Sequence, residues 1–258
     1  MGLYFRYFSI HLRSQMQHKL SFFLTTLSQL VGSFAMFLGV YFLLDRFHSV
    51  KGFSYAEVLL CFSTVWMAFA LAECFFRGFD RFASMLSNGQ FDRIMVRPRN
   101  LVFQVLATQI EFSRLGRFLQ ALLMMIYAIP QCGVDWTADR ILTFALMLIC
   151  GVLEFAGLFI IYASLCFFST EGLEFMNIFT DGGREFGSYP LSIYGEGVLK
   201  FFTYVIPMAL WQYYPLLYLT GRDSNPLYSI APLASVVFLI PCLILWRIGV
   251  RHFRSTGS

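Results

Sequence analysis

Six long apolar runs, separated by shorter polar segments, divide the chain almost from end to end. A helix needs about 20 mostly apolar residues to cross a bilayer, because its backbone N–H and C=O groups must be satisfied within the segment. Each run reaches or approaches that length. The pattern therefore predicts an all-α membrane protein, with one transmembrane domain over residues 1–258. The six predicted spans cover residues 22–44, 56–76, 103–131, 141–168, 198–219 and 229–250.

The first 20 residues have a different pattern, with apolar and basic side chains on opposite faces of a helix. Phe8, Leu12 and Met16 recur on one face, and Arg6 and Arg13 lie on the other. This arrangement is typical of a helix that lies in the membrane interface with its basic face toward anionic headgroups. The segment, residues 1–20, is expected to be an amphipathic interfacial helix. A frayed juxtamembrane tail is the alternative.

Composition supports a membrane protein and gives its orientation. Apolar residues make up 58% of the chain and charged residues 13%, with a mean hydropathy of +0.65, whereas soluble domains carry about 25% charged residues. Arginine and lysine are concentrated before the first span, between the second and third spans, and after the last span. Because basic residues are retained on the cytoplasmic side, both termini are expected in the cytoplasm.

A polar stretch, FTDGGREFGSYPLSIY at residues 179–194, interrupts the apolar pattern between the fourth and fifth spans. In the orientation above it is a cytoplasmic connector. Gly182 and Gly183 permit a tight turn that a β-carbon would resist. Pro190 disfavours helix at the residue before it, so YPL is expected to be extended. The connector is thus predicted to turn the chain beneath the membrane.

The connector also carries charged and aromatic side chains. Arg184 and Glu185 are adjacent, so they do not form a pair on one helix face and are expected to reach different partners. Tyr189 and Tyr194 suit the membrane interface, with their rings against apolar surface and their hydroxyls toward water. A plain solvated loop is the alternative.

Two carboxylates fall inside predicted spans, where an ionisable group is costly and often functional. Glu154 lies in the middle of the fourth span. It either binds a cation or relays protons, or it is held protonated or hydrogen-bonded between helices. Glu73 lies near the end of the second span. It is either a gate contact or an interfacial partner of Arg77, one helical turn away.

The fifth predicted span contains two prolines and a polar side chain. Pro207 and Pro215 remove backbone donors from YVIPMALWQYYPLLYL, and Gln212 lies between them. We therefore expect this helix to be kinked or broken. In a membrane such a break persists only where neighbouring groups or a cavity satisfy the backbone.

The sequence contains no motif for catalysis, and no cofactor or metal is expected to bind directly. The six cysteines and four histidines are scattered without the short spacing of metal or redox sites. GEGVLK, residues 195–200, has the wrong spacing for a phosphate loop and lacks its hydroxyl residue. No nucleophile motif is present. The chain is expected to be non-enzymatic.

Several segments resemble one family. FRGFDRFASMLSNGQFDRIMVRPRN after the second span, GREFGSYPLSIY followed by YVIP and YYP around the fifth, and the basic tail LWRIGVRHFRSTGS are similar to segments of the permease subunit of bacterial type-2 ABC exporters. The similarity extends over essentially the whole chain and is closest to the branch with drug and viologen exporters. The missing phosphate loop agrees with it, because such permeases use a separately encoded ATPase.

The resemblance implies the membrane subunit of an ATP-driven exporter in the bacterial cytoplasmic (inner) membrane. A second permease chain, homologous or identical, would complete the pathway, and the separate ABC ATPase would bind ATP and Mg. Membrane lipids are the other expected partners, with no nucleic acid. In the family, the linker after the second span contains the short coupling helix. The residues to which this ATPase-coupling role is transferred are Phe91, Asp92, Arg93, Ile94 and Arg97.

Two alternatives stay open. A glycan or lipid-linked polysaccharide exporter of the same fold would need a wide pathway and often a glycan-binding partner. A stand-alone secondary transporter would use Glu154 as its coupling group. A neighbouring gene for an ATPase with a phosphate loop would favour the ABC transporter, and its absence would favour the secondary transporter.

Overall fold

The computed structural model describes residues 2–47, 51–169 and 173–253, and the elements named below in this part of the chain are helices. Short 3-10 turns connect several of its helices. The α-helices are α1 Gly2–Met16, α2 Lys19–Phe47, α3 Tyr55–Asp80, α4 Phe82–Ser87, α5 Gln90–Met95, α6 Leu101–Leu106, α7 Leu115–Gln131, α8 Ala138–Leu165, α9 Asp181–Gly187, α10 Glu196–Tyr204, α11 Met208–Leu219, α12 Leu227–Ser235 and α13 Leu239–His252.

Helix α3 is the centre of the bundle. It begins at a capping box, in which Ser54 Oγ accepts from the Glu57 amide and Glu57 Oε2 accepts from the Ser54 amide at 2.7 Å. Helices α7, α8 and α11 pack around it, and 89% of its most apolar stretch is buried. By contrast, the equivalent stretch of α2 is wholly unburied. Helix α2 packs mainly against α7 and leaves a long apolar face open.

Glycines let other elements approach α3 and α8 closely. A β-carbon at Gly78 would lie 2.1 Å from the carbonyl oxygen of Val105, so no larger residue fits where α6 crosses α3. A β-carbon at Gly151 of α8 would lie 2.7 Å from the ring of Trp211 in α11. These two contacts hold α6 and α11 against the central helices.

Five helical segments of the described chain are long and apolar enough to cross a membrane. They are Lys19–Gly39, Tyr55–Ser87, Phe112–Gln131, Ala138–Leu165 and Leu227–His252. The sequence predicts six spans, and the difference lies in the fifth, over residues 198–219. There the structure has two short helices, α10 and α11, separated at Val205–Pro207. The break falls at Pro207, which lacks an amide donor, whereas the helix continues through Pro215.

The third predicted span, residues 103–131, is also interrupted. Helix α6 ends at Leu106, and the chain is non-helical until a 3-10 turn at Phe112–Arg114 leads into α7. Thr108 Oγ1 donates to the Val105 carbonyl at 2.6 Å, and the Glu111 amide donates to the Cys74 carbonyl of α3 at 3.0 Å. The backbone of this break is thus tied to α3, which apolarity alone does not indicate.

The helices give the bundle two distinct ends. At one end, where α3 and α8 finish, lie α4, α5, α6 and the last turn of α13; we call this the basic end because of its many arginines. At the opposite end, Arg222 Nε donates to Glu57 Oε1 at 2.6 Å, and the Tyr218 hydroxyl donates to Asp139 Oδ2 at 2.6 Å. These bonds tie the end of α11 to the starts of α3 and α8.

Candidate functional site

Helix α5 is a short element fixed on the basic end by its apolar side. Gly89, with φ +62°, reverses the chain between α4 and α5 in a conformation that favours glycine. Phe91 is fully buried and Ile94 is 6% exposed. The ring of Phe91 lies 5.1 Å from that of Phe82 and 5.3 Å from that of Phe167. The inner side of α5 is therefore packed like a core segment.

Phe91 belongs to a ring cluster that joins five parts of the fold. Its members come from α3, α4, α5, the segment just after α8, and α13 with the residue after it. Phe79 contacts Trp246, and each other member contacts at least two rings at centroid distances of 5.0–6.3 Å. We call it the aromatic cluster: Phe79, Phe82, Phe91, Phe167, Trp246 and Phe253. A displacement of α5 would therefore be transmitted to α3, α8 and α13 through these ring contacts.

The outer side of α5 and the residues after it are exposed and basic. Arg93 and Arg97 face outward, whereas Asp92 is half-buried in the first turn. Val96 is 83% exposed and Met95 is 43% exposed. The sequence-predicted coupling residues thus divide into an anchor, Phe91 and Ile94, and an exposed part. Apolar and cationic groups lie together on that exposed surface.

Glu73 lies in a buried network of charges near the basic end. Its side chain is 6% exposed, and Oε2 accepts from Arg117 Nη1 at 2.7 Å. Its Oε1 lies 3.5 Å from Arg77 Nη1 and 3.5 Å from Arg114 Nη1. One carboxylate therefore faces three guanidinium groups, of which only Arg77 belongs to its own helix.

A second carboxylate, Glu111, extends this network to the break before α7. Arg114 Nε donates to it at 2.8 Å, and Arg77 and Arg81 lie 3.3 Å and 3.6 Å away. Burial opposes ionisation of Glu111, but the hydrogen bond from Arg114 and the nearby arginine charges hold its pKa below the ordinary value. The network joins α3 to the start of α7.

Helix α1 is attached to the same break. His11 Nε2 lies 3.0 Å from the Ala107 carbonyl, and Gln15 Nε2 donates to the Ile110 carbonyl at 2.6 Å. The Gln15 side-chain oxygen accepts from the Phe112 amide at 3.2 Å. These bonds satisfy backbone groups that the interruption of the helix leaves free.

The connector of residues 179–194 does not turn at the surface of the bundle. Gly182 and Gly183 lie in helix α9 rather than in a tight turn. Ser188 is 1% exposed, and its hydroxyl accepts from Trp66 Nε1 at 2.9 Å. Since Trp66 lies near the middle of α3, the chain enters the bundle. The segment around Ser188 is therefore packed inside the bundle and is not a plain solvated loop, whereas the cytoplasmic position of the connector stays a prediction.

Arg184 and Glu185 are paired with each other, contrary to the sequence-based expectation. Arg184 Nη2 donates to Glu185 Oε1 at 2.6 Å, and Nη1 lies 3.1 Å from Asp181 Oδ1. The long arginine side chain folds back along α9, which the helix-face argument does not consider. Its guanidinium also lies 4.6 Å from the centroid of the Trp66 ring.

Gln212 holds the connector from the side of α11. Its Nε2 donates to the carbonyls of Gly187 at 3.1 Å and Tyr189 at 3.0 Å. These carbonyls follow the end of α9, and Pro190 and Leu191 start the next turn, which runs to Tyr194. The ring of Tyr194 packs edge-on against that of Phe186 at 5.2 Å. Gln212, from the fifth predicted span, and the connector therefore belong to one contact.

A cavity of about 280 Å³ lies beside the connector, between α2, α3, α7 and α9. Two guanidinium groups and an aromatic ring contribute to its wall. It is lined by Ser28, Gln29, Gly32, Trp66, Arg117 and Arg184. The arrangement places cationic and aromatic groups next to the exposed helix α2.

Glu154 is buried at the contact of α8 with α11. It is 2% exposed, and its carboxyl group interacts with the indole of Trp211 in α11. The ring of Trp211 also packs against that of Phe155, at a centroid distance of 6.0 Å. The surroundings are those of a carboxyl group held between helices.

Sequence reasoning did not identify Arg114, Arg117, Trp66 or Ser188. A weak signal existed for the first two, because RLGR at residues 114–117 places two cations one turn apart at the start of an apolar run. No local signal pointed to the bond between Trp66 and Ser188, which are 122 positions apart.

The fold and the basic end together define a class, a multi-pass helical membrane protein with a short anchored element at one end. A family profile described as ABC-2 family transporter protein matches residues 30–257. The chain belongs to this family, and it is a transmembrane permease component of an ABC transporter, a kind of subunit that works with an ATPase. No curated protein and no solved structure matches it.

Proposed function

We propose that the chain is the permease subunit of an ATP-driven exporter in a bacterial cytoplasmic membrane. It forms the substrate pathway with a second permease chain, and a separate ATPase binds at the basic end. The basic end then faces the cytoplasm, with both termini on that side. The concentration of arginines there supports this orientation.

The anchored helix α5 is the observation that carries the proposal. A docking element must present a recognisable surface and transmit motion to the membrane helices. Arg93 and Arg97 provide exposed charge, and Val96 adds an exposed apolar side chain. Phe91 connects that surface to the aromatic cluster, and hence to α3, α8 and α13.

The docking role predicts a large effect of charge reversal. The double variant Arg93→Glu, Arg97→Glu is expected to insert normally but to lose substrate-stimulated ATP hydrolysis, because like charges at a docking surface are repelled. ATPase activity is measured on the permease co-reconstituted with its partner ATPase. Co-purification of the two subunits reports binding separately.

A matched control reverses two other exposed charges. Arg6→Glu, Arg13→Glu alters the basic face of α1 and leaves α5 intact. This variant is expected to keep ATPase binding and stimulation. Normal stimulation in the α5 variant, with full insertion, would refute the docking role.

Glu154 provides the test against a secondary transporter. Since ATP hydrolysis supplies the driving force under this proposal, Glu154→Gln is expected to retain transport by the reconstituted complex. The amide keeps the shape of the side chain and removes the possible charge. Transport of a fluorescent efflux substrate is measured in vesicles with ATP and without it. Nucleotide-independent transport that is lost in Glu154→Gln would instead establish the secondary transporter.

A further inference from the structure

A groove of about 650 Å³ runs along the basic end between α6 and α13. It is distinct from the exposed face of α5. Its walls are mostly apolar, and two arginines stand on one side. It is lined by Asn100, Leu101, Val102, Phe103, Leu106, Leu243, Trp246, Arg247, Val250 and Arg251.

The two arginines provide uncompensated positive charge. Arg247 and Arg251 are one turn apart on the same face of α13, and both are exposed. Neither forms an ion pair within residues 2–47, 51–169 and 173–253, and no acidic side chain is among the residues that line the groove. A ligand with a negative group would be attracted to this side.

The groove lies at the end of a candidate membrane span. The segment Leu227–His252 is long and apolar enough to cross the bilayer, and both arginines fall in its last two turns. Leu106 and Leu243 line the groove as well, so its apolar wall extends from the level of the charges toward the bilayer interior. A ligand that matches the groove is therefore anionic at one end and apolar at the other.

We propose that this groove is a binding site for an anionic phospholipid of the adjoining leaflet. The phosphate lies between Arg247 and Arg251, whose planar guanidinium groups suit phosphate oxygens. One acyl chain lies against Val102, Leu106 and Leu243. Basic pockets between transmembrane helices are a recognised form of lipid site.

The groove lies next to the proposed docking surface on α5. Five residues separate the end of α5 at Met95 from the start of α6 at Leu101. Trp246 lines the groove and also belongs to the aromatic cluster beneath Phe91, with ring centroids 6.3 Å apart. Occupation of the groove thus fixes α6 relative to α13, directly behind the surface formed by α5.

Lipid selectivity of the purified full-length chain tests the site without any ATPase or transport substrate. Native mass spectrometry in detergent compares the retention of phosphatidylglycerol and phosphatidylcholine. The unmodified chain is expected to prefer phosphatidylglycerol, and Arg247→Gln, Arg251→Gln to lose roughly 10- to 30-fold of that preference. Arg93→Gln, Arg97→Gln, which removes two exposed cations of α5 outside the groove, is expected to keep it.

A second measurement locates the lipid. Lipids with brominated acyl chains quench the fluorescence of nearby tryptophans. The quenching that is due to Trp246 is the difference between the unmodified chain and Trp246→Phe. This difference is expected to be larger with brominated phosphatidylglycerol than with brominated phosphatidylcholine. The single variants Arg247→Gln and Arg251→Gln give the same test, each with a smaller loss, if the double variant is misfolded by circular dichroism.

Two outcomes would overturn the lipid site. The first is equal retention of the two lipids by the unmodified chain. The second is a preference that survives removal of both groove arginines or disappears in the α5 variant. Neither result depends on whether the chain is an exporter.

Discussion

Glu73→Gln is expected to lower the free energy of unfolding by about 3–5 kcal/mol, the usual cost of breaking a buried ion pair. The glutamate carboxylate lies near three guanidinium groups whose side chains are only 12–21% exposed. Glutamine keeps the size of the side chain but takes from Arg117 the carboxylate it pairs with, whereas Arg77 and Arg114 keep Glu111. Arg117 is then repelled by these two neighbouring cations. Thermal or denaturant unfolding of the purified protein in detergent measures the change.

Two controls separate the network from the loss of a surface charge. Glu196→Gln removes a carboxylate whose side chain is 90% exposed in its pair with Lys200, and no measurable change is expected because exposed pairs contribute little. Adding Arg117→Gln to Glu73→Gln removes one repelling cation and is expected to restore part of the stability. An unfolding transition of Glu73→Gln that matches the unmodified chain would show that the network is not a structural support.

The sequence was sufficient for features that depend on local chemistry. Runs of apolar residues indicated α2, α3, α8 and the α12 to α13 segment, because a membrane helix must satisfy its own backbone. Gly89 can end a helical turn and Pro98 stops the next one, so residues 89–98 of the sequence indicate a short element with Phe91 and Ile94 on one apolar side. Local patterns of this kind are confined to a few turns, so they do not depend on how the helices later pack.

The charge network around Glu73 could not be predicted from such local patterns. Sequence spacing relates Glu73 to Arg77, four residues away, but Arg117 is 44 residues away. The contact requires α7 to pack on α3, and it also requires the break at residues 107–111 that brings Glu111 beside them. Polar partners across helices follow from tertiary packing, which the pattern of apolar positions does not specify.

The polarity of the connector predicts contact with water, but the structure buries the segment around Ser188. In the structure its polar groups bind one another and the helices around them: Ser188 accepts from Trp66, and Arg184 lies over the same ring while pairing with Glu185. Polar backbone can enter a bundle where protein groups satisfy it. The polar pattern of residues 179–194 is therefore compatible with a solvated loop or a buried one. The groups that bind this segment in the folded protein determine which of the two forms.

Gln212→Met is expected to release this buried connector. Methionine has a similar length but no N–H donor, so the carbonyls of Gly187 and Tyr189 lose the bonds at 3.1 Å and 3.0 Å. The Gly187 carbonyl keeps the Cys61 thiol as a donor at 3.3 Å, whereas the Tyr189 carbonyl is left unsatisfied among the described residues. An unsatisfied buried carbonyl costs about 1–3 kcal/mol, and each 1.4 kcal/mol corresponds to a factor of about 10 in an opening equilibrium. Hydrogen exchange of backbone amides in residues 183–195 is therefore expected to accelerate by roughly 5- to 150-fold, whereas amides in the middle of α3 keep their protection.

The matched control is Gln131→Met, which makes the same chemical change at the exposed end of α7, where the amide reaches only the Tyr127 carbonyl at 3.4 Å. It is expected to leave exchange in residues 183–195 unchanged, because water replaces the lost bond there. Unchanged exchange in Gln212→Met as well would mean that the connector is held by its other contacts, with Trp66 foremost. Faster exchange throughout α3 would mean instead that the whole bundle had loosened, and that Gln212 supports the packing of α11 rather than the position of the connector.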